Sequence, residues 1–200
     1  MKDLKSTQEN SRFALAASQQ QRILAATAQL QRMQSGQLAN DDSVEQVLAA
    51  IGEQYLVFSL QNREFAVKAE AIQGVERPMY ITPVPNVVSW VQGVVNLRGA
   101  IASVVNFRAF LELEQIPADA RTRLLSVQAN EMVICLTVDS VSDMVQIPLA
   151  AVVSGSVQPT TIPQWIAPYA STYAVVGNRI IVLLDVTRLL FSDKMQHYSQ

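Results

Sequence analysis

Two stretches of the chain, Leu97–Leu111 (LRGAIASVVNFRAFL) and Val176–Leu190 (VGNRIIVLLDVTRLL), superpose position by position. Apolar residues coincide at Ile101/Ile180, Val104/Leu183, Val105/Leu184, Phe107/Val186, Phe110/Leu189 and Leu111/Leu190, and Asn106 coincides with Asp185. Upstream in each copy, Glu70-x-Ile72-x-x-Val75 mirrors Asp139-x-Val141-x-x-Met144. An internal repeat restricts the fold strongly, because each copy must be a supersecondary unit that buries the same face. Around these blocks, QYLVFSL, EFAVKA, LLSVQA, MVICLTV and STYAVVG carry strand-like apolar patterning. Each copy spans roughly 60 to 70 residues with about five short strands, too few for a sandwich of about seven. That number suffices for a small barrel, whose closure removes exposed edges. The chain therefore reads as mainly β. We expect two small five-stranded, SH3-like β-barrels, the first over about 54–113 and the second over about 121–190, with exchange of terminal strands left open. Asn106 and Asp185 each precede a short helical segment, where an Asx side chain caps free N–H groups.

Outside the repeat, residues 1–53 read as a helical extension and 193–200 as a short tail. Ser11 to Gln34 is rich in Ala, Gln, Leu and Arg, which are strong helix formers, and Ser35-Gly36 supplies a stop. A second helix is expected after Asp42, with Glu45 at capping-box spacing and Val44, Val47, Leu48 and Ile51 on one stripe. Pro78, Pro83 and Pro85 in the first copy, and Pro159, Pro163 and Pro168 in the second, mark loops, since Pro lacks the N–H a central strand needs.

Composition narrows the chemistry. Fifteen basic and 17 acidic residues give a net charge of -2, against the basic patch or stripe of a nucleic-acid binder. At 6% aromatic, the barrels also lack the stacking platforms of single-strand binders. One cysteine, Cys135, and one histidine, His197, leave no intrachain disulfide, which fits a reducing compartment. Cys135 lies in the apolar run MVICLTV and is expected to be buried and inert. No convergent ligand or nucleophile set is present, so we expect no metal, no cofactor and no catalytic residue. No stretch approaches the roughly 20 apolar residues that span a bilayer, and a cytoplasmic protein is expected.

Within the first copy, GVVNLRG ends a strand at a tight turn. Arg98 aligns with Gly177 and Gly99 with Asn178. The second copy thus has Gly-Asn, a pair that reaches positive φ cheaply. Gly99 is explained by the turn, whereas Arg98 is not. Its apolar neighbours Val94, Val95 and Leu97 point to a contact surface, since interfaces combine apolar anchors with Arg.

Four blocks, QYLVFSLQNREFAV, PVPNVVSWVQGVVNLRGAIASVVNFR, VDSVSDMVQI and NRIIVLLDVTRLL, lie collinear between about Gln54 and Ser192. Together they resemble the CheW-like domain, the adaptor domain of bacterial chemosensory arrays. The resemblance implies two five-stranded barrels and a non-catalytic adaptor that joins the cytoplasmic tip of a chemoreceptor to the regulatory domain of a CheA-type histidine kinase. CheW-like homologues in the array are implied as further partners, and chemotaxis or pilus-driven motility as the output. It assigns partner contact to Arg98, and places Ile72 and Val75 beside the receptor-binding groove. We take the partner-binding set as Arg98, Ile72, Val75, Glu76, Asn96 and Leu97, with Gly93 and Gly99 as structural turn glycines.

The sequence also departs from the family pattern. Gly74 stands where a glutamate is common, Asn106 replaces an acidic residue, and Cys135 replaces a glycine. These changes alter which charges a partner surface must match. The leading expectation is a stand-alone chemosensory adaptor. The alternative is a CheW-like scaffold that binds a private partner through its N-terminal helices without receptor coupling.

Overall fold

The computed structural model describes residues 52–153 and 161–197. The two expected N-terminal helices, and Pro159, lie outside the described residues. Among the described residues, ten strands run in chain order: β1 Gly52–Leu60, β2 Arg63–Lys68, β3 Ile72–Glu76, β4 Val91–Leu97, β5 Ala100–Asn106, β6 Arg123–Ala129, β7 Met132–Val138, β8 Ser140–Pro148, β9 Ala170–Val176 and β10 Arg179–Leu184. Short helices α1 (Phe107–Phe110), α2 (Val186–Leu190) and α3 (Asp193–Gln196) follow β5 and β10. The capping expectation holds in both copies. Asn106 accepts a hydrogen bond from the Ala109 N–H at 3.1 Å, and Asp185 accepts one from the Arg188 N–H at 3.0 Å.

The strands form two five-stranded sheets, one ordered β8-β1-β2-β10-β9 and the other β3-β6-β7-β5-β4. Strands are exchanged across the expected spans of about 54–113 and 121–190, the possibility left open there, so that neither sheet belongs to one copy of the repeat. Each copy, β1–β5 or β6–β10, gives its first hairpin to one sheet and its last three strands to the other. Each sheet has two seams between the copies, one parallel and one antiparallel: β2 with β10 and β1 with β8 in the first, β5 with β7 and β3 with β6 in the second. The cause is local. Tight hairpins need left-handed residues, and these occur at Gln61-Asn62, Arg98-Gly99, Asn130 and Gly177. Between β2 and β3 there is only one 3-10 turn, Ala69–Ala71, and between β7 and β8 only Asp139. Neither connection has a positive φ. The chain therefore runs on into the neighbouring sheet instead of folding back.

Closure is also less complete than a barrel implies. Each ladder is open, and one isolated bridge ties an outer strand to the segment that follows the other: Thr82, after β3, to Val94 of β4 in the second sheet, and Val152, after β8, to Ala174 of β9 in the first. Gly93 answers to the first of these bridges. It lies within β4 at a register shift, not in a turn, with φ 140, and a Cβ there would stand 2.2 Å from the Thr82 carbonyl oxygen.

Alternation along each strand sorts the core into three layers. Tyr55 and Val57 of β1 fill the first sheet with Ile147, Ala174 and Ile181. Val104 of β5 fills the second sheet with Val95, Leu124 and Cys135. Between the sheets, Leu56, Phe58, Phe65, Val105, Phe107 and Phe110 belong to a larger shared core. Central strands buried on both faces explain apolar runs as continuous as MVICLTV.

Candidate interaction surface

The β4–β5 hairpin closes in a two-residue turn with positive φ at both Arg98 (55°) and Gly99 (94°), the handedness that matches strand twist. Asn96 steadies it by accepting the Gly99 N–H at 2.8 Å through Oδ1. A β-carbon at Gly99 would meet nothing within 4 Å, so backbone conformation, not space, calls for glycine there. Arg98 adopts the same left-handed region without that freedom.

The curl of the second sheet brings its outer strands together, and Arg98 reaches from the hairpin tip to β3. Its Nη2 lies 3.8 Å from Glu76 Oε1, with the Arg98 side chain 75% exposed. A β-carbon placed on Gly74 would lie 3.7 Å from that same Nη2 and 3.4 Å from Ser126 Oγ. The Ser126 hydroxyl donates to the Gly74 carbonyl at 3.0 Å. Such an exposed pair contributes at most about 1 kcal/mol.

Register separates the remaining residues. Gly74 and Glu76 pair with Ser126 and Leu124, whereas Ile72 and Val75 pair with Val127 and Leu125. Cross-strand partners share a face, and Val127 and Leu125 point into the shared core. Strand β3 thus shows two margins. Glu76 meets Arg98 at the mouth of the second sheet, while Ile72 and Val75 extend the shared core to the surface, Ile72 packed against it and Val75 37% exposed. Leu97 packs half-buried against the interior of the second sheet, and Asn96 is exposed. Of the expected set, Arg98, Glu76, Asn96 and Leu97 lie at or beside the tip, and Ile72 and Val75 lie on the other face of the edge.

One exposed residue was not in that set. Ile101, paired with Asn96, is 77% exposed, and its repeat counterpart Ile180 is 54% exposed. The signal was in the sequence, since Ile101 shares its strand face with Ser103. The repeat thus keeps an apolar residue at this position on the surface of both hairpins.

The second hairpin tip handles charge differently. Gly177 takes the left-handed position there, and Arg179 donates through Nε and Nη2 to Glu64 at 2.9 and 2.8 Å. Its guanidinium is absorbed by its own sheet, whereas that of Arg98 is not.

Little here suits catalysis. Cys135 is fully buried, and burial, followed by the nearby Glu76 charge, pushes its thiol up to about 11. Among the described residues no group of three or more His, Cys, Asp or Glu could hold a metal. An apolar groove of about 370 Å³ beside Trp90, Val94, Val105, Ile134 and Met195 offers no ionisable side chain. No helix among the described residues is long and apolar enough to cross a membrane.

The family model for the CheW-like domain matches residues 54–194. The chain belongs to the CheW-like family. Among its relatives are Chemotaxis protein CheW of Klebsiella aerogenes, 25% identical over 149 residues that cover 72% of this chain and 86% of the relative, and Chemotaxis protein CheW of Rhizobium meliloti, 27% identical over 149 residues that cover 72% and 92%. The crystal structure of the scaffolding protein TtCheW from Thermoanaerobacter tengcongensis shares the fold, with a TM-score of 0.63 at 18% identity over 72% of this chain and 95% of that one. A CheW-like chain is a scaffold and not an enzyme, which suits a surface built from one exposed cation and an apolar margin.

Proposed function

We propose that this CheW-like chain is an adaptor of a bacterial chemosensory system, coupling the cytoplasmic tip of a chemoreceptor to the regulatory domain of a CheA-type histidine kinase. It acts in the cytoplasm, recruited to receptor arrays that include CheW-like homologues, and the output is chemotaxis or pilus-driven motility. The observation that supports this most is Arg98. It occupies a left-handed turn position that its repeat counterpart gives to glycine, and it stays 75% exposed beside a single carboxylate. A residue that strains the turn and contributes little to the fold is explained by contact with another molecule. The apolar margin of Ile72 and Val75 lies on β3, the strand that carries Glu76, and supplies apolar contact area on its other face.

Co-purification of wild type and Arg98→Glu with the cognate kinase regulatory domain and a receptor fragment tests the assignment. Truncating a desolvated charge costs on the order of 2–5 kcal/mol, and reversing it should abolish capture of at least one partner. Undiminished capture of both would refute the role given to Arg98.

A further inference from the structure

Asp139 is the whole of the β7–β8 connection, the point at which the chain passes from the second sheet to the first. Its carboxylate holds three donors. Arg108 Nε donates to Oδ1 at 2.7 Å and Arg108 Nη2 to Oδ2 at 2.6 Å, while the Gln61 N–H donates to Oδ2 at 2.9 Å. Arg108 belongs to α1, directly after β5 of the second sheet, and Gln61 to the β1–β2 turn of the first. A further bond from Arg108 Nη1 to the Glu114 carbonyl, at 2.8 Å, secures the guanidinium. The two side chains are only 12% and 21% exposed. This is the fork geometry in which an arginine fixes direction as well as distance.

We propose that Arg108, Asp139 and the Gln61 N–H form a clamp that fixes the angle between the two sheets, and that Arg108 and Asp139 are positioning residues for holding two partners at once. Apolar burial is non-directional, so the shared core holds the sheets together without dictating their angle as three directed bonds at a one-residue crossover do. The other crossover has no equivalent clamp. Glu70, the repeat counterpart of Asp139, is exposed there and joins no ion pair among the described residues. An adaptor that grips partners with different parts of its surface depends on that angle, because simultaneous engagement is lost when geometry forbids it. That consequence rests on the adaptor reading above; the clamp itself does not.

The test uses the full chain with spin labels on cysteines introduced at Ala100 and Asn178, exposed positions at the two hairpin tips. Cys135 is fully buried and stays unlabelled. Pulsed electron resonance should give one narrow tip-to-tip distance in wild type, a broadened distribution in Asp139→Asn, and an intermediate width in Arg108→Lys, which keeps the charge without the fork. Glu64→Gln is the control, because it weakens an equally good arginine fork that lies within one sheet. It should leave the distribution narrow. An unchanged distribution in Asp139→Asn, or equal broadening in Glu64→Gln, overturns the clamp. With receptor fragment and kinase regulatory domain as probes, Asp139→Asn should bind each alone within about threefold of wild type and assemble the ternary complex roughly tenfold less well. Equal ternary assembly overturns the positioning role, whereas a wild type that binds neither probe overturns the adaptor reading and leaves the distance result standing.

Discussion

Arg98 has an odd place in its turn because two demands meet there. The hairpin wants a left-handed residue, and a side chain with a β-carbon pays roughly 1–2 kcal/mol to be one. The exposed contact with Glu76 returns less than that. Arg98→Asn should therefore raise stability by up to about 1 kcal/mol, since Asn tolerates this conformation best among residues other than glycine. Denaturant unfolding of the two proteins measures it. The oddity was visible in the sequence, because aligning Arg98 with Gly177 shows which residue the turn prefers. Gly93 was not legible in the same way. Its φ of 140 and its closeness to Thr82 depend on a chain segment eleven residues away in sequence folding across β4, so a glycine in GVVNLRG reads as turn chemistry when it is room for a neighbour.

At the scale of elements, local rules carried the reading well. Alternation located the strands, and Asx residues located the starts of α1 and α2. Asn106→Ala and Asp185→Ala should each cost about 1 kcal/mol, readable as a shift in the thermal midpoint. Alternation does not say which sheet a strand joins, because β2 and β7 look the same whether the chain turns back or runs on. The Arg108–Asp139 pair was hidden for a related reason. Its members sit in two separate motifs, VVNFR and VDSVSDMV, 31 residues apart, and only the crossover brings them together. The coincidence of Ile101 with Ile180 carried no marker distinguishing a surface that recurs from an interior that recurs, and both are exposed.

For the whole molecule, strand exchange makes the two copies of the repeat interdependent. Each sheet draws strands from both copies, and the shared core takes side chains from both. The connection between the copies, from Glu114 to Arg121, is exposed, so a break there removes covalent continuity without opening the core. Separate polypeptides 1–116 and 117–200 should each fail to fold alone and should regain β structure on mixing, as followed by circular dichroism. Independent folding of either would contradict the exchange.

In the proposed role of Arg98, the second sheet presents this side chain to another molecule at some expense to the fold. Calorimetric titration of wild type and Arg98→Asn with the kinase regulatory domain and with a receptor fragment tests it most directly, because this variant keeps or gains stability and so isolates the contact. Arg98→Asn should lose at least tenfold in affinity for one of the two, an effect of about 1.4 kcal/mol or more, while remaining folded. Unchanged affinity for both, in a protein whose wild type binds them, would contradict it.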